Sequence, residues 1–274
     1  MSKIAYDPVK DKFARIVKNS RRLKRLFYFL LDLFFLRSWH LRRIIIEKGE
    51  SFDKKGGWKL LDAGSGFGQY DRFLLKTFQN VVIDSVDVKS DYLQDNQNYF
   101  RDEIKKKRIS FYEADLLKFD NKEVFDFVIC IDVLEHIEED TIVIKNLSGS
   151  LKPEGIFLMH SPSHFSEEDA DEDDTFVGEH ARTGYSKADI EKKLMEADLL
   201  PVDTHYTYGK WGRRSWILSV KWPMIAFTKI GLFAVIPLIV YYPLVMPFCL
   251  LMNYADLFTK NKKGNGIYAV ARKI

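Results

Sequence analysis

At 274 residues and 46% apolar composition, the chain is long enough to bury a substantial core as one domain with additions, and a net charge of +3 is too small to call for a nucleic-acid partner. Its two cysteines, Cys130 and Cys249, lie in separate apolar runs with no CxxC and no Cys/His cluster, which excludes a disulfide scaffold and a structural zinc site.

The charge is unevenly spread. Residues 1–48 hold 13 Lys/Arg against 4 Asp/Glu. Within them, ten apolar residues interrupted by Asp32 lie between Arg25 and Arg37, too short a run to span a bilayer. Residues 1–50 are therefore expected to form a basic amphipathic helical cap whose flanks suit an anionic membrane surface. The N-terminus lacks the pattern of a secretory signal, so a cytoplasmic location is expected, peripheral or monotopic on the inner face of the membrane.

From Trp58 onward strand-like and helix-like segments alternate, the pattern of a parallel sheet with crossover helices. The predicted strands are 58–62, 81–87, 109–114, 125–131 and 155–161, followed by 200–208 and 266–272. Helices are predicted over 69–78, 90–105 and 139–151. A further one over 186–197 has Ser186 as N-cap and Asp189 in place of the usual Glu of a capping box. Lys152-Pro153-Glu154-Gly155 is expected to end the helix before the fifth strand. Between Ser166 and Thr175 seven acids occur without a base, which reads as a solvated loop.

The first strand runs into Leu60-Leu61-Asp62-Ala63-Gly64-Ser65-Gly66-Phe67-Gly68, whose glycines fall where backbone must approach a ligand closely. Asp62 before the first glycine disfavours a pyrophosphate, hence NAD, and suits a cationic amino group. Asp87 ends the second strand, where ligands bind in open α/β sheets, and can accept from both hydroxyls of a ribose. Asp84 is its rival three residues earlier. Glu113-Ala114-Asp115-Leu116 follows the third strand, and Phe125 to Ile131 runs as a buried fourth strand into the polar loop Asp132-Val133-Leu134-Glu135-His136.

In order and spacing, LLDAGSGFG, VDV, EADLL, FDFVICIDVLEHI and LKPEGIFL resemble the class I S-adenosylmethionine-dependent methyltransferases, most closely the ubiquinone/menaquinone-type (methyltransferase type 11) subgroup. The resemblance covers roughly residues 58–200 and the final strand. It implies an α/β Rossmann-like fold with a seven-stranded, mostly parallel sheet and helices on both faces, S-adenosyl-L-methionine as cofactor, and cofactor-binding roles for Asp62, Gly64, Gly66, Gly68, Asp87, Val88, Asp115, Leu116 and Ile131. The domain is expected over 51–209 and 264–274. Methyl transfer from a sulfonium mainly needs alignment and exclusion of water. A base is required when the acceptor arrives protonated, and the candidates are His164, His180 and His136, with His160 beside them. Asp132, Glu135 and His136 also match positions that bind a divalent metal in some ubiquinone O-methyltransferases.

Residues 210–263 form an insert before the last strand. Ile230 to Met252 is 23 residues without a charge, by length a transmembrane candidate. Its flanking strands are neighbours in this fold, however, and a single crossing would separate them. Pro237, Pro243 and Pro247 are also expected to break a straight helix. The insert is read as one or two short helices in one leaflet or as a lid, with Trp39, Trp211, Trp216 and Trp222 as interfacial anchors. The expected partner is a hydrophobic small-molecule or lipid acceptor, either lipid-like or isoprenoid/quinone-type at the membrane surface or, in the alternative, a soluble small molecule with the insert as its lid.

Overall fold

The computed structural model describes residues 20–169 and 181–274. The sheet consists of β1 (Trp58–Ala63), β2 (Val81–Asp87), β3 (Ile109–Glu113), β4 (Phe125–Ile131), β5 (Leu151–Pro162), β6 (Leu199–Thr207) and β7 (Gly266–Lys273) in the order β3-β2-β1-β4-β5-β7-β6. Only β7 runs antiparallel to its neighbours, so the carboxyl ends of the other six strands share one edge.

Strand alternation divides the apolar residues between two layers. Leu61, Val128 and Cys130 face one core with Phe157, Ile144 and Leu194, while Leu60, Phe127 and Ile129 face the other with Leu41, Leu74 and Leu93. Both faces are thereby covered, which is why β4 reads as a continuous hydrophobic run. Its one acid, Asp126, accepts hydrogen bonds from the Lys59 backbone N–H at 2.8 Å and from Lys152 Nζ at 2.9 Å.

Before the sheet come α1 (Arg21–Phe34) and α2 (Leu36–Lys54), which break apart at the extended residue Phe35. The crossovers are α3 (Gln69–Thr77), α4 (Ser90–Tyr99), α5 (Arg101–Lys105), α6 (Asp140–Ser150) and α7 (Lys187–Met195). The predicted helix over 90–105 is two, because the chain leaves helical geometry at Phe100 (ψ 15°), where the ring is buried against Phe111. Ser186 does cap α7, its Oγ accepting from Asp189 N at 3.1 Å. The 139–151 helix stops at Ser150, and β5 begins at Leu151 rather than after Gly155, with Leu151 paired to Phe125.

Between β6 and β7 the chain makes a helical hairpin. One arm is α8 (Lys210–Trp216), a π-type turn (Ile217–Lys221) and α9 (Trp222–Ile230), and the other is α10 (Val235–Phe258). The chain reverses at Gly231 (φ +58°). Thr207 pairs with Gly266, so both arms spring from the same point on the sheet. The expectation that prolines break this segment is corrected, since α10 is continuous for 24 residues with Pro243 and Pro247 inside it. Each proline removes one hydrogen bond, and the partner arm holds the axis. Ser215 Oγ donates to the Cys249 carbonyl (3.1 Å), and the Tyr241 and Tyr242 hydroxyls donate to the carbonyls of Leu218 and Ser219 in the π-type turn.

Candidate functional site

The carboxyl edge of the sheet gathers the predicted ligand residues. Gly64 N and Ser65 N both donate to the Val86 carbonyl (2.8 and 2.9 Å), pinning the loop after β1 to β2. At Gly64 (φ +85°) a Cβ would lie 2.3 Å from Val133 Cγ2, whereas at Gly66 (φ +48°) a Cβ would meet nothing within 4 Å. The loop is therefore pressed against the residue following Asp132 on one side and open at Gly66 on the other.

Asp87 braces this loop. Its Oδ2 accepts from Gly66 N and its Oδ1 from Lys89 N, both at 2.9 Å, and each oxygen keeps a second lone pair for a ligand. Asp84 is engaged elsewhere, ion-paired with Lys59 at 2.7 Å and accepting from Ser110 Oγ at 2.5 Å. Val88 is exposed and Leu116 buried. Asp115 spends one oxygen on Leu117 N (3.0 Å), capping the turn Leu116–Lys118, and remains exposed. Ile131 closes β4 in the buried floor.

Asp62 is buried beneath the loop beside Asp71 of α3. Ser85 Oγ donates to Asp71 Oδ1 at 2.7 Å, while Asp62 Oδ2 and Asp71 Oδ2 have no donor among the described side chains and backbone. Two carboxyls in one dry space cannot both ionise. Burial raises both, with Asp71 at about 7 and Asp62 well above the usual carboxylate range, and the pair shares a proton. Sequence reasoning missed Asp71, since nothing local marks an acid in the first turn of a helix as buried.

On the β4–β5 side, Asp132 adopts a left-handed backbone (φ +53°) that turns its carboxylate back over the sheet. Burial first, and then the neighbouring Arg37 and His40, depresses His160 well below its usual value and keeps it neutral. Its Nδ1–H accordingly donates to Asp132 Oδ1 at 2.6 Å, while Nε2 faces Thr207 Oγ1 at 3.4 Å. The other Asp132 oxygen pairs with Arg37 from the first turn of α2. Arg37 also went unrecognised in the sequence, where it belongs to a basic run.

Glu135 is buried and accepts from Ser161 Oγ at 3.1 Å. His136 sits half-buried on the same turn. Asp132 and Glu135 thus engage separate partners, and no group of three metal-ligating side chains occurs among the described residues. His164 donates from Nδ1 to the Tyr185 carbonyl at 3.3 Å and its ring lies on Phe165. His180 and most of the acidic run lie outside the described residues.

The cap completes the enclosure. Tyr28, fully buried in α1, donates to the Phe67 carbonyl at 2.6 Å. Lys24, also buried, donates to Asp95 Oδ2 (2.6 Å) and Asn96 Oδ1 (2.9 Å), and Asn96 Nδ2 in turn holds the Gly66 carbonyl at 2.8 Å. Burial lowers the Lys24 pKa while Asp95 pulls it the other way. The N-terminal helix and the glycine loop form one bonded unit.

Residues 61–157 match a family model described as a methyltransferase domain. The chain is 30% identical over 127 residues to the ubiquinone biosynthesis O-methyltransferase of Rickettsia prowazekii (strain Madrid E), a stretch covering 44% of this chain and 47% of that protein. It is 25% identical over 114 residues to the (S)-coclaurine N-methyltransferase of Papaver somniferum, covering 40% and 31%. The chain therefore spans less than half the length of these curated relatives. Among solved structures it is similar to a phosphoethanolamine N-methyltransferase of Haemonchus contortus, with a TM-score of 0.60, 19% identity, and coverage of 96% of this chain and 59% of that one.

Proposed function

Because the chain carries a class I S-adenosylmethionine-dependent methyltransferase domain, we propose that it transfers a methyl group from S-adenosylmethionine to a hydrophobic, lipid-like or isoprenoid/quinone-type acceptor at the cytosolic surface of a membrane. The observation that carries the cofactor half is the Asp62–Asp71 pair, two buried carboxyls under an open glycine loop. A cation completes such a space, and a pyrophosphate is repelled by it. The residues present fit the cofactor. Asp62 and the loop take its ammonium end, Asp87 its ribose hydroxyls, and Asp115 with Leu116 its adenine. When bound, the cofactor supplies an electrophilic methyl on a sulfonium.

The chain's own part is alignment, dryness and proton handling. Asp132 directly precedes Val133, whose side chain abuts Gly64, and its carboxylate is the group assigned to receive the proton of a hydroxyl or amine acceptor. Neutral His160 fixes its orientation, Arg37 closes over it, and His136 stands on the adjoining turn as the neighbouring histidine. His164, turned to the Tyr185 carbonyl, has no such link to the loop. The acceptor half is supported by the apolar insert rising from the same edge of the sheet.

Two results are expected. Asp132→Asn keeps cofactor affinity within about twofold but lowers methyl transfer by about 100-fold or more, scored with radiolabelled cofactor over a panel of quinols, prenols and aromatic amines. Equal transfer by parent and variant would remove Asp132 from the chemistry. Separately, an arriving ammonium displaces the proton shared by Asp62 and Asp71. Because those carboxyls are raised in the free protein, binding releases protons near pH 7, and affinity rises from about pH 6 to about pH 8 before levelling off. Calorimetry in buffers of different ionisation enthalpy reads this directly, and a heat independent of buffer would rule out the shared proton.

A further inference from the structure

Helix α1 buries a lysine and exposes an apolar strip between its arginines. It buries Lys24 and Tyr28 and leaves Leu23, Leu26, Phe29 and Leu30 exposed, Phe29 at 55%. A soluble amphipathic helix does the reverse. Burial of the lysine has a local cause, since the surface beneath the helix is polar, with Asp95 and Asn96 receiving Lys24. Helix α10 carries a second apolar face. Ile236, Val240, Leu244, Phe248, Leu251 and Phe258 follow one another at three, four or seven residues along it, every one more than 60% exposed, a stripe of about 33 Å at 1.5 Å per residue. The two helices touch where Phe34 meets Tyr242 edge-on, ring centroids 5.3 Å apart.

We infer that these two faces form one docking surface for a bilayer leaflet with anionic headgroups, in which α1 and α10 lie along the plane of the membrane. This deepens the reading above by naming the surface from which a hydrophobic acceptor is drawn. Charge selects the occupant. Residues 208–263 contain eight Lys/Arg and a single acid, Asp256, which is fully buried. Arg21, Arg22 and Arg25 are exposed along α1, and beside it Arg72, followed by Arg25 and by Arg42, which is paired with Asp32 at 2.7 Å, depresses the pKa of Lys76. The rims of both apolar faces are thus positive, as an anionic leaflet requires, and a second copy of the chain would bring like charges together.

The geometry also selects the orientation. Although α10 is long and apolar enough to cross a membrane, both arms of the hairpin start from the paired residues Thr207 and Gly266, and the outgoing arm carries Lys210, Arg213, Arg214, Lys221 and Lys229. Lys229 lies two residues from the reversal at Gly231, where tip-first insertion would place it deepest in hydrocarbon. Lying flat leaves it at the headgroup level.

The test is flotation of the full chain with vesicles of phosphatidylcholine alone or mixed with phosphatidylglycerol, without cofactor or acceptor, so that docking and methyl transfer can fail independently. Binding is expected to need the anionic lipid. It should fall by about fivefold for each of Arg25→Ala and Lys229→Ala, and by about 100-fold for Leu26→Asp combined with Leu244→Asp, while circular dichroism and cofactor affinity stay at parental values. Bimane on Ile236→Cys and on Leu251→Cys should be quenched equally by lipids brominated at one depth. Absence of binding to anionic vesicles, binding indifferent to these substitutions, or a concentration-dependent dimer dissolved by Leu244→Asp would overturn the leaflet as occupant. Ile236 far deeper than Leu251 would overturn the flat orientation.

Discussion

Replacing Asp87 with alanine is expected to abolish measurable S-adenosylmethionine binding in a calorimetric titration while the protein remains folded. Two losses combine. In the proposed function the carboxylate offers its free lone pairs to the ribose hydroxyls, and it holds the backbone N–H groups of Gly66 and Lys89. Hydrogen bonds to a charged acceptor are each worth about 1.5–3 kcal/mol, so losing the pair to the ligand weakens affinity by about 150-fold or more, and slackening of the loop adds to it. Asp84→Ala is the matched control. It removes an acid from the same strand whose partners are Lys59 and Ser110 and should leave affinity nearly unchanged. Equal effects of the two substitutions would show that the ribose is held elsewhere.

The second large effect is expected at Asp256, in the last turn of α10. This carboxylate is fully buried and joins three parts of the chain. It accepts from Gly212 N of the outgoing arm at 3.0 Å, contacts His40 of the cap at 3.3 Å, and accepts from Asn261 Nδ2 ahead of β7 at 3.3 Å. Gly212 has no room for a side chain, because a Cβ there would sit 2.4 Å from Leu36 and 3.0 Å from the Asp256 carboxyl carbon. The junction cannot repack around a hole. Asp256→Ala strands two buried polar groups, the Gly212 N–H and the His40 ring, and should cost about 3–5 kcal/mol, lowering Tm by roughly 6–15 °C in a thermal melt. A Tm within about 2 °C of the parent would mean that water already reaches the junction.

Much of this architecture could be read from local pattern. The glycine loop, the order of the strands and the Ser186 cap are set by neighbours in sequence, whereas the start of β5 at Leu151 is not. What escaped was non-local or inverted. Arg37 meets Asp132 across 95 positions of chain, and in the sequence it is one cation among many. Lys24 is buried because of Asp95 and Asn96, far along the chain, against the ordinary preference of lysine for water. Asp71 becomes exceptional only once folding sets it beside Asp62. The prolines of α10 misled because a proline's cost is judged for an isolated helix, whereas here a second arm supports the first.

The position of β7 bears on how the molecule comes to be made. Last of the strands in chain order, it is threaded between β5 and β6 and pairs with both. Synthesis runs from the amino end, so the hairpin arms leave the ribosome while the sheet is still split at the gap that β7 will fill. The apolar insert is therefore complete before the sheet is. An early encounter between the insert and a lipid surface would shield it during that interval, and would leave the wedging of β7 between β5 and β6 as the step that closes the sheet.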